Sequence, residues 1–83
     1  MKFFHQPPPI TVTENYDGEP SSFFCGKEME KISRIVRRWR ISKNWWRKEI
    51  SREYFRVETR RGSICEIYCD LLTQSWYLQR ICD

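Results

Sequence analysis

The sequence has one histidine, His5, and three glycines, and it has no C-x-x-C pair and no glycine-rich phosphate loop. With no second histidine, no Ser/His/Asp arrangement and no recognisable acid/base pair of carboxylates, the residues that would carry catalysis are missing, and no enzyme is expected. His5 reads as a solvated residue in a tail. No apolar run approaches the ~20 residues needed to cross a bilayer, so no membrane partner is expected. The N-terminal MKFFHQPPP lacks an apolar h-region and a cleavage site, which points to a cytoplasmic protein without an export signal. Internal repeats and long low-complexity segments are absent as well.

What is present is charge and aromatics. Phe, Trp and Tyr make up 16% of the 83 residues. They offset the small core such a short chain can build, since each large ring buries roughly 150–250 Å². The net charge of +4 conceals a block: residues 31–61 hold twelve of the fifteen Lys and Arg against Glu49, Glu53 and Glu58, or +9, while the rest of the chain carries −5. Such a block makes either a positive surface for phosphates or an acidic protein, or simply a solvated face.

Residues 1–9, with Pro7-Pro8-Pro9, are expected to form an extended tail, and residues 10–83 a single domain. Ile10–Thr13 alternates as a strand, Asn15–Gly18 has turn chemistry, and Ser21–Cys25 can form a second strand after Pro20. Residues 27–41 are ambiguous. Met29, Ile32, Val36 and Trp39 have helical spacing, whereas Ile35, Trp39 and Ile41 would share one face of a strand. Ser51–Arg60, Ile64–Asp70 and Trp76–Ile81 read as strands. For the hairpin between the first two of these, a three-residue loop Arg60-Arg61-Gly62 with Gly62 left-handed sorts the faces best. It pairs Val57 with Cys65, Arg56 with Glu66 and Tyr54 with Tyr68. Phe55, Val57, Cys65, Ile67 and Cys69 then share one face, and Arg52, Tyr54, Arg56, Glu58, Ile64, Glu66 and Tyr68 the other.

Three site readings follow. The comb Arg52-x-Tyr54-x-Arg56, with Arg34, Arg37, Arg38 and Arg40 extending the field, could meet DNA: arginine pairs with phosphate and tyrosine offers a platform for an unpaired base. Arg37, Arg38, Arg40, Arg52, Tyr54 and Arg56 are its candidate residues, against ordinary cross-strand stabilisation of a solvated face. Trp45 and Trp46, with Tyr77, are candidates for a protein partner or a homodimer interface, since adjacent side chains of an extended segment point to opposite sides and only one tryptophan need enter the core. Cys25, Cys65, Cys69 and Cys82 are the residues of a weaker alternative, a zinc-stabilised module. In a strand Cys65 and Cys69 have Cα atoms roughly 13 Å apart, too far to share an ion without a sharp bend. Buried thiols are the better expectation, with no cofactor.

The series Trp39-Arg40, Trp45-Trp46, Arg52-Glu53-Tyr54-Phe55-Arg56-Val57, Gly62, Glu66-Ile67-Tyr68, Asp70-Leu71-Leu72-Thr73 and Trp76-Tyr77-Leu78-Gln79-Arg80 resembles a small bacterial domain family of unknown function associated with Y-family translesion DNA polymerases. A related domain ends the mutasome's polymerase homologue. The resemblance covers roughly residues 20–83 and rests on spaced aromatics. It implies a setting in DNA-damage tolerance, with DNA and a Y-family polymerase or related repair protein as partners, and no catalytic residues. It also implies that the stretch before Trp39 is a strand. One departure is Gln74, where relatives often have glycine. The expected fold is therefore all-β, a small, strongly bent antiparallel sheet or SH3-like barrel, with α+β and a helix near 28–40 as the alternative.

Overall fold

A computed structural model describes residues 2–3, 5–45 and 48–82; the side chains of Lys2, Phe3 and Trp45 lie outside the description. Its strands are β1 (Lys2–Phe3), β2 (Pro9–Glu14), β3 (Pro20–Cys25), β4 (Glu28–Trp45), β5 (Lys48–Thr59), β6 (Ile64–Asp70) and β7 (Ser75–Cys82). Neighbours pair antiparallel in the order β7–β2–β3–β4–β5–β6, and β6 pairs again with β7, so six strands close a small barrel. The fold is all-β, and the described residues contain no helix that could cross a membrane.

The segment expected to be a tail bends at His5 and Gln6 and is tied to β7 on either side of them. Lys2 and Phe3 pair with Ile81 and Arg80, and the Leu78 amide donates to the Pro8 carbonyl at 3.0 Å. Turn chemistry joins β2 to β3: Asn15 Oδ1 accepts from the amides of Asp17 (2.9 Å) and Glu19 (3.0 Å), and Gly18 takes φ +77°. The β5–β6 hairpin has the register expected from face sorting, with Val57 opposite Cys65, Arg56 opposite Glu66 and Tyr54 opposite Tyr68. Gly62 adopts φ +89°, and the Thr59 amide donates to the Ser63 carbonyl at 2.8 Å.

Inside the barrel Phe55, Val57 and Ile67 are fully buried, packed with Ile10, Phe23, Cys65 and Leu78. Val12, Cys25, Ile32, Ile35, Trp76 and Ile81 close around them. Burying these side chains is the main stabilising term, at roughly 1.5–3 kcal/mol for each large one.

Residues 28–40 are strand, so the helical alternative is corrected. Register shifts between Ile32 and Arg34 and between Ile35 and Arg37 each insert one residue into β4. Bulges of this kind leave the extra residue unpaired. They turn Ile32 and Ile35 inward three residues apart, which imitates a helical period. Met29 and Val36, which would have shared the helix's apolar stripe, are each 41% exposed. The second bulge also separates Ile35, packed on the core, from Trp39 and Ile41 on the outer face.

Gln74 is the one described non-glycine residue with positive φ, +62°. The backbone thus adopts the left-handed conformation that glycine takes cheaply. Its amide donates to the Asp70 carbonyl at 2.7 Å and its Nε2 to the Leu71 carbonyl at 3.0 Å, which partly offsets the strain. Gln74→Gly is expected to stabilise the domain by roughly 0.5–1 kcal/mol, read as a rise of a few degrees in Tm. An unchanged or lower Tm would mean that the side-chain hydrogen bond outweighs the strain.

Candidate nucleic-acid interface

Alternation along β4 and β5 puts Arg37, Trp39, Ile41 and Lys43 on the outer face, opposite Arg56, Tyr54, Arg52 and Ile50. The registers of β6 and β7 continue these pairs into rows across four strands. One row is Arg37–Arg56–Glu66–Arg80, and the next is Trp39–Tyr54–Tyr68–Tyr77.

The second row is an aromatic ladder. Trp39 stacks on Tyr54 with ring centroids 5.3 Å apart and planes 8° from parallel. Tyr54 meets Tyr68 at 5.0 Å, and Tyr68 meets Tyr77 at 5.2 Å. Two arginines complete it: the Arg37 guanidinium lies 5.0 Å from the Trp39 centroid and that of Arg52 lies 4.7 Å from Tyr68. Each such cation–π contact stabilises by about 0.5–2 kcal/mol, depending on desolvation. Arg52 Nη1 also donates to Tyr54 Oη at 3.2 Å. Burial pushes the Tyr68 hydroxyl above its ordinary pKa, although the Arg52 charge opposes this. At Arg52 itself burial works against the charge and is the largest single effect, but the hydrogen bond to Tyr54 together with the electrostatic influence of Tyr54, Tyr68 and Asp70 gives a net rise in its pKa.

The first row is anchored by a buried carboxylate. Glu66 is 5% exposed and accepts from Arg56 at 2.8 and 2.6 Å and from Arg80 at 2.7 and 2.9 Å. Burial alone would raise its pKa; the hydrogen bonds from Arg80 and Arg56 more than reverse that and hold the carboxyl below its ordinary 4.5.

The six expected DNA-contacting residues therefore divide. Arg37, Arg52, Tyr54 and Arg56 share the outer face. Arg38 and Arg40 lie on the other face of β4, where Glu53 Oε2 accepts from both, at 3.0 and 3.4 Å. Arg38 also approaches Glu19 at 3.8 Å and lies 5.2 Å from the Phe55 centroid. Tyr54 is 8% exposed between two rings, so it is not a platform for an unpaired base, which corrects that expectation. Arg56 is held by Glu66. The outer face is thus a packed layer at its centre and not a solvated comb. Among the described residues, Arg37, Lys43, Lys48 and Arg52 have no carboxylate within ion-pairing distance. These four are outer-face cations without a close ion pair, although Asp70, the cross-strand neighbour of Arg52, acts on Arg52 electrostatically. Lys43 and Lys48 were not singled out from the sequence, although their positions two and four residues from Ile41 and Arg52 put them in the same alternation.

The partner-interface candidates are placed in part. Tyr77 ends the ladder, half-buried, with Pro9 as its cross-strand neighbour. Trp45 ends β4 opposite Lys48, but its side chain, like the whole of Trp46, lies outside the described residues.

All four cysteines are free thiols. Cys65 and Cys69 are buried on the inner face, Cys25 packs on the core, and Cys82 lies opposite Ile64. Among the described residues no three His, Cys, Asp or Glu side chains converge, so Cys25, Cys65, Cys69 and Cys82 do not form the set that a structural zinc needs. Burial pushes the Cys69 thiol up, and Glu14, Glu53 and Asp70 add to the effect, which keeps it protonated and unreactive at neutral pH.

A closed six-stranded barrel with an arginine-flanked aromatic ladder on its outer wall is the class of domain these features define. Residues 5–83 match the family described as a domain of unknown function (DUF6504), and the chain belongs to that family. No curated protein and no solved structure matches it.

Proposed function

We propose that this domain is a non-enzymatic accessory module of bacterial DNA-damage tolerance that binds DNA through the outer face of β4 and β5. The observation that carries this reading is the set Arg37, Lys43, Lys48 and Arg52: four cations on one face with no carboxylate within ion-pairing distance among the described residues. Unpaired surface cations at this density are held apart by the fold at a repulsive cost, which phosphate neutralisation and counterion release would reverse. The resemblance to domains associated with Y-family translesion polymerases supplies the setting, and with it a cytoplasmic location and a polymerase or related repair protein as partner. The reading assigns no reaction and no cofactor to the chain.

The test is fluorescence anisotropy with labelled DNA at about 50 mM salt, where phosphate contacts are strongest. The double variant Arg37→Ala/Arg52→Ala should weaken binding and lower the slope of log K against log[salt] by about 2, one for each lost phosphate contact. Wild-type protein showing no binding would reject the proposal.

A second reading, a protein-interaction or homodimerisation module, draws on the edge of β4. Strand β3 pairs with β4 only over Glu28–Lys31, so from Ile32 onward that edge has no strand neighbour among the described residues. An open edge is a template for strand addition by a second copy or an acidic partner segment. Sedimentation showing a dimer that persists without DNA would favour this reading.

A further inference from the structure

The geometry points to duplex B-form DNA as the ligand, entered by the β4–β5 ribbon, with single strands the poorer substrate; this inference rests on the nucleic-acid reading above. It comes from two independent features.

The first is the state of the aromatic rings. A protein that holds single strands without sequence preference needs open π-faces on which bases can stack. Here Tyr54 is flanked by Trp39 and Tyr68, and Tyr68 by Tyr54 and Tyr77. The Arg37 guanidinium lies over Trp39 and that of Arg52 over Tyr68. The rings of this face are occupied by one another and by arginines. What the face still offers is positive charge, which grips phosphates and does not read unstacked bases.

The second is the ribbon. Strand β6 leaves β5 at Arg52–Asp70, with a last hydrogen bond from the Leu71 amide to the Ser51 carbonyl at 2.9 Å. Beyond that point β4 and β5 continue as a pair alone, from Ile41–Arg52 to Trp45–Lys48. Four steps of an antiparallel strand carry this ribbon roughly 14 Å past the barrel. The major groove of B-DNA is about 12 Å wide and 8.5 Å deep, and it admits a two-stranded ribbon; the ribbon's reach exceeds the groove's depth. An A-form duplex has a deep, narrow major groove that excludes it.

Side chains along the ribbon suit the two tasks in such a groove. Lys43, Lys48 and Arg52 on one face can meet the phosphates of a groove wall. Ser42 and Asn44, both exposed, and Ser51, half-exposed, are short hydrogen-bonding groups able to reach base edges. Glu49 is the one acid between Ile41 and Arg52.

Three labelled ligands separate the outcomes: a DNA duplex of about 20 base pairs, one of its strands, and an RNA duplex of the same length, each titrated at about 50 mM salt. The DNA duplex should bind at least about tenfold more tightly than either other ligand, and Lys43→Ala/Lys48→Ala should remove most of that difference without moving Tm. Single strands or RNA duplex bound as tightly as the DNA duplex would overturn the duplex inference while leaving the nucleic-acid reading in place. Absence of binding to all three would overturn both.

Discussion

Tyr54→Ala should destabilise the domain by about 3–5 kcal/mol, close to the cost of deleting any buried aromatic ring, although Tyr54 lies outside the barrel. The ring is 8% exposed and touches Trp39 and Tyr68 on its two sides, at 5.3 and 5.0 Å. Each such pair adds roughly 0.5–1.5 kcal/mol beyond area burial, so removing the ring loses two pairs and leaves a gap in the middle of the row. An 83-residue domain has a total stability of the order of 4–12 kcal/mol, so the variant should lose at least about a quarter of it, and nearly all of it if the domain lies at the lower end. Tyr54→Phe should lose only the hydrogen bond from Arg52, roughly 0.5–1.5 kcal/mol, and should bind DNA as the wild type does. Urea unfolding and DNA titration of both variants separate this from a stacking role for Tyr54, in which alanine would spare stability and lose binding while phenylalanine would keep both. A Tyr54→Ala protein as stable as wild type would show that the ladder does not contribute to the fold.

Glu66→Gln should cost about 2–4 kcal/mol at neutral pH, because it leaves two arginines facing a neutral amide in a largely dry site. The estimate sits toward the lower end of what breaking a buried pair costs, since the Arg56 and Arg80 side chains keep 33% and 25% exposure and can recover some hydration. The effect has a definite pH dependence. The folded-state pKa of Glu66 lies below its ordinary 4.5, so its contribution is fully present above pH 4.5 and is lost as pH falls through the folded value. The stability difference between wild type and Glu66→Gln, measured by urea unfolding, should therefore be constant from neutral pH down to about 5 and shrink below about 4. A difference that stays flat into acid would mean that the cost of glutamine is steric and not electrostatic. Arg56→Ala should cost more stability than Arg52→Ala. The first removes two hydrogen bonds to Oε2 of a buried carboxylate, whereas the second removes a cation–π contact with Tyr68 and one hydrogen bond to Tyr54.

The difference between Arg56 and Arg52 marks where the sequence stops being informative. Face sorting across Gly62 places both residues, with Tyr54, on one side of β5, and the structure has that register residue for residue. Period-two alternation says which side of a sheet a residue occupies. Whether that side is wet depends on the two strands beyond the hairpin. Trp39 from β4 and Tyr77 from β7 close the row around Tyr54 and Tyr68, and Arg80 from β7 completes the cage around Glu66. These pairings join residues distant in sequence, and the β4 alignment depends on two bulges.

The bulges also account for the ambiguity of residues 27–41. Ile32 and Ile35 turn inward at a spacing of three because an extra residue intervenes, and a spacing of three is what an amphipathic helix displays. Periodicity could not separate the two; the strand that the resemblance implied could. Gln74 illustrates a third case. It stands where the resemblance leads one to expect glycine, and its backbone is left-handed, with a side-chain hydrogen bond to Leu71 accompanying the strain.

On the function proposed, the domain meets DNA through the outer face of β4 and β5, from Arg37 to Arg52. Amide chemical-shift mapping during titration with a short DNA duplex tests it most directly. Shifts concentrated in residues 37–45 and 48–52, with β2, β3 and the Gly62 end of the barrel unmoved, are the predicted result. Shifts centred on β2 and β3, or none at all at saturating DNA, would contradict it.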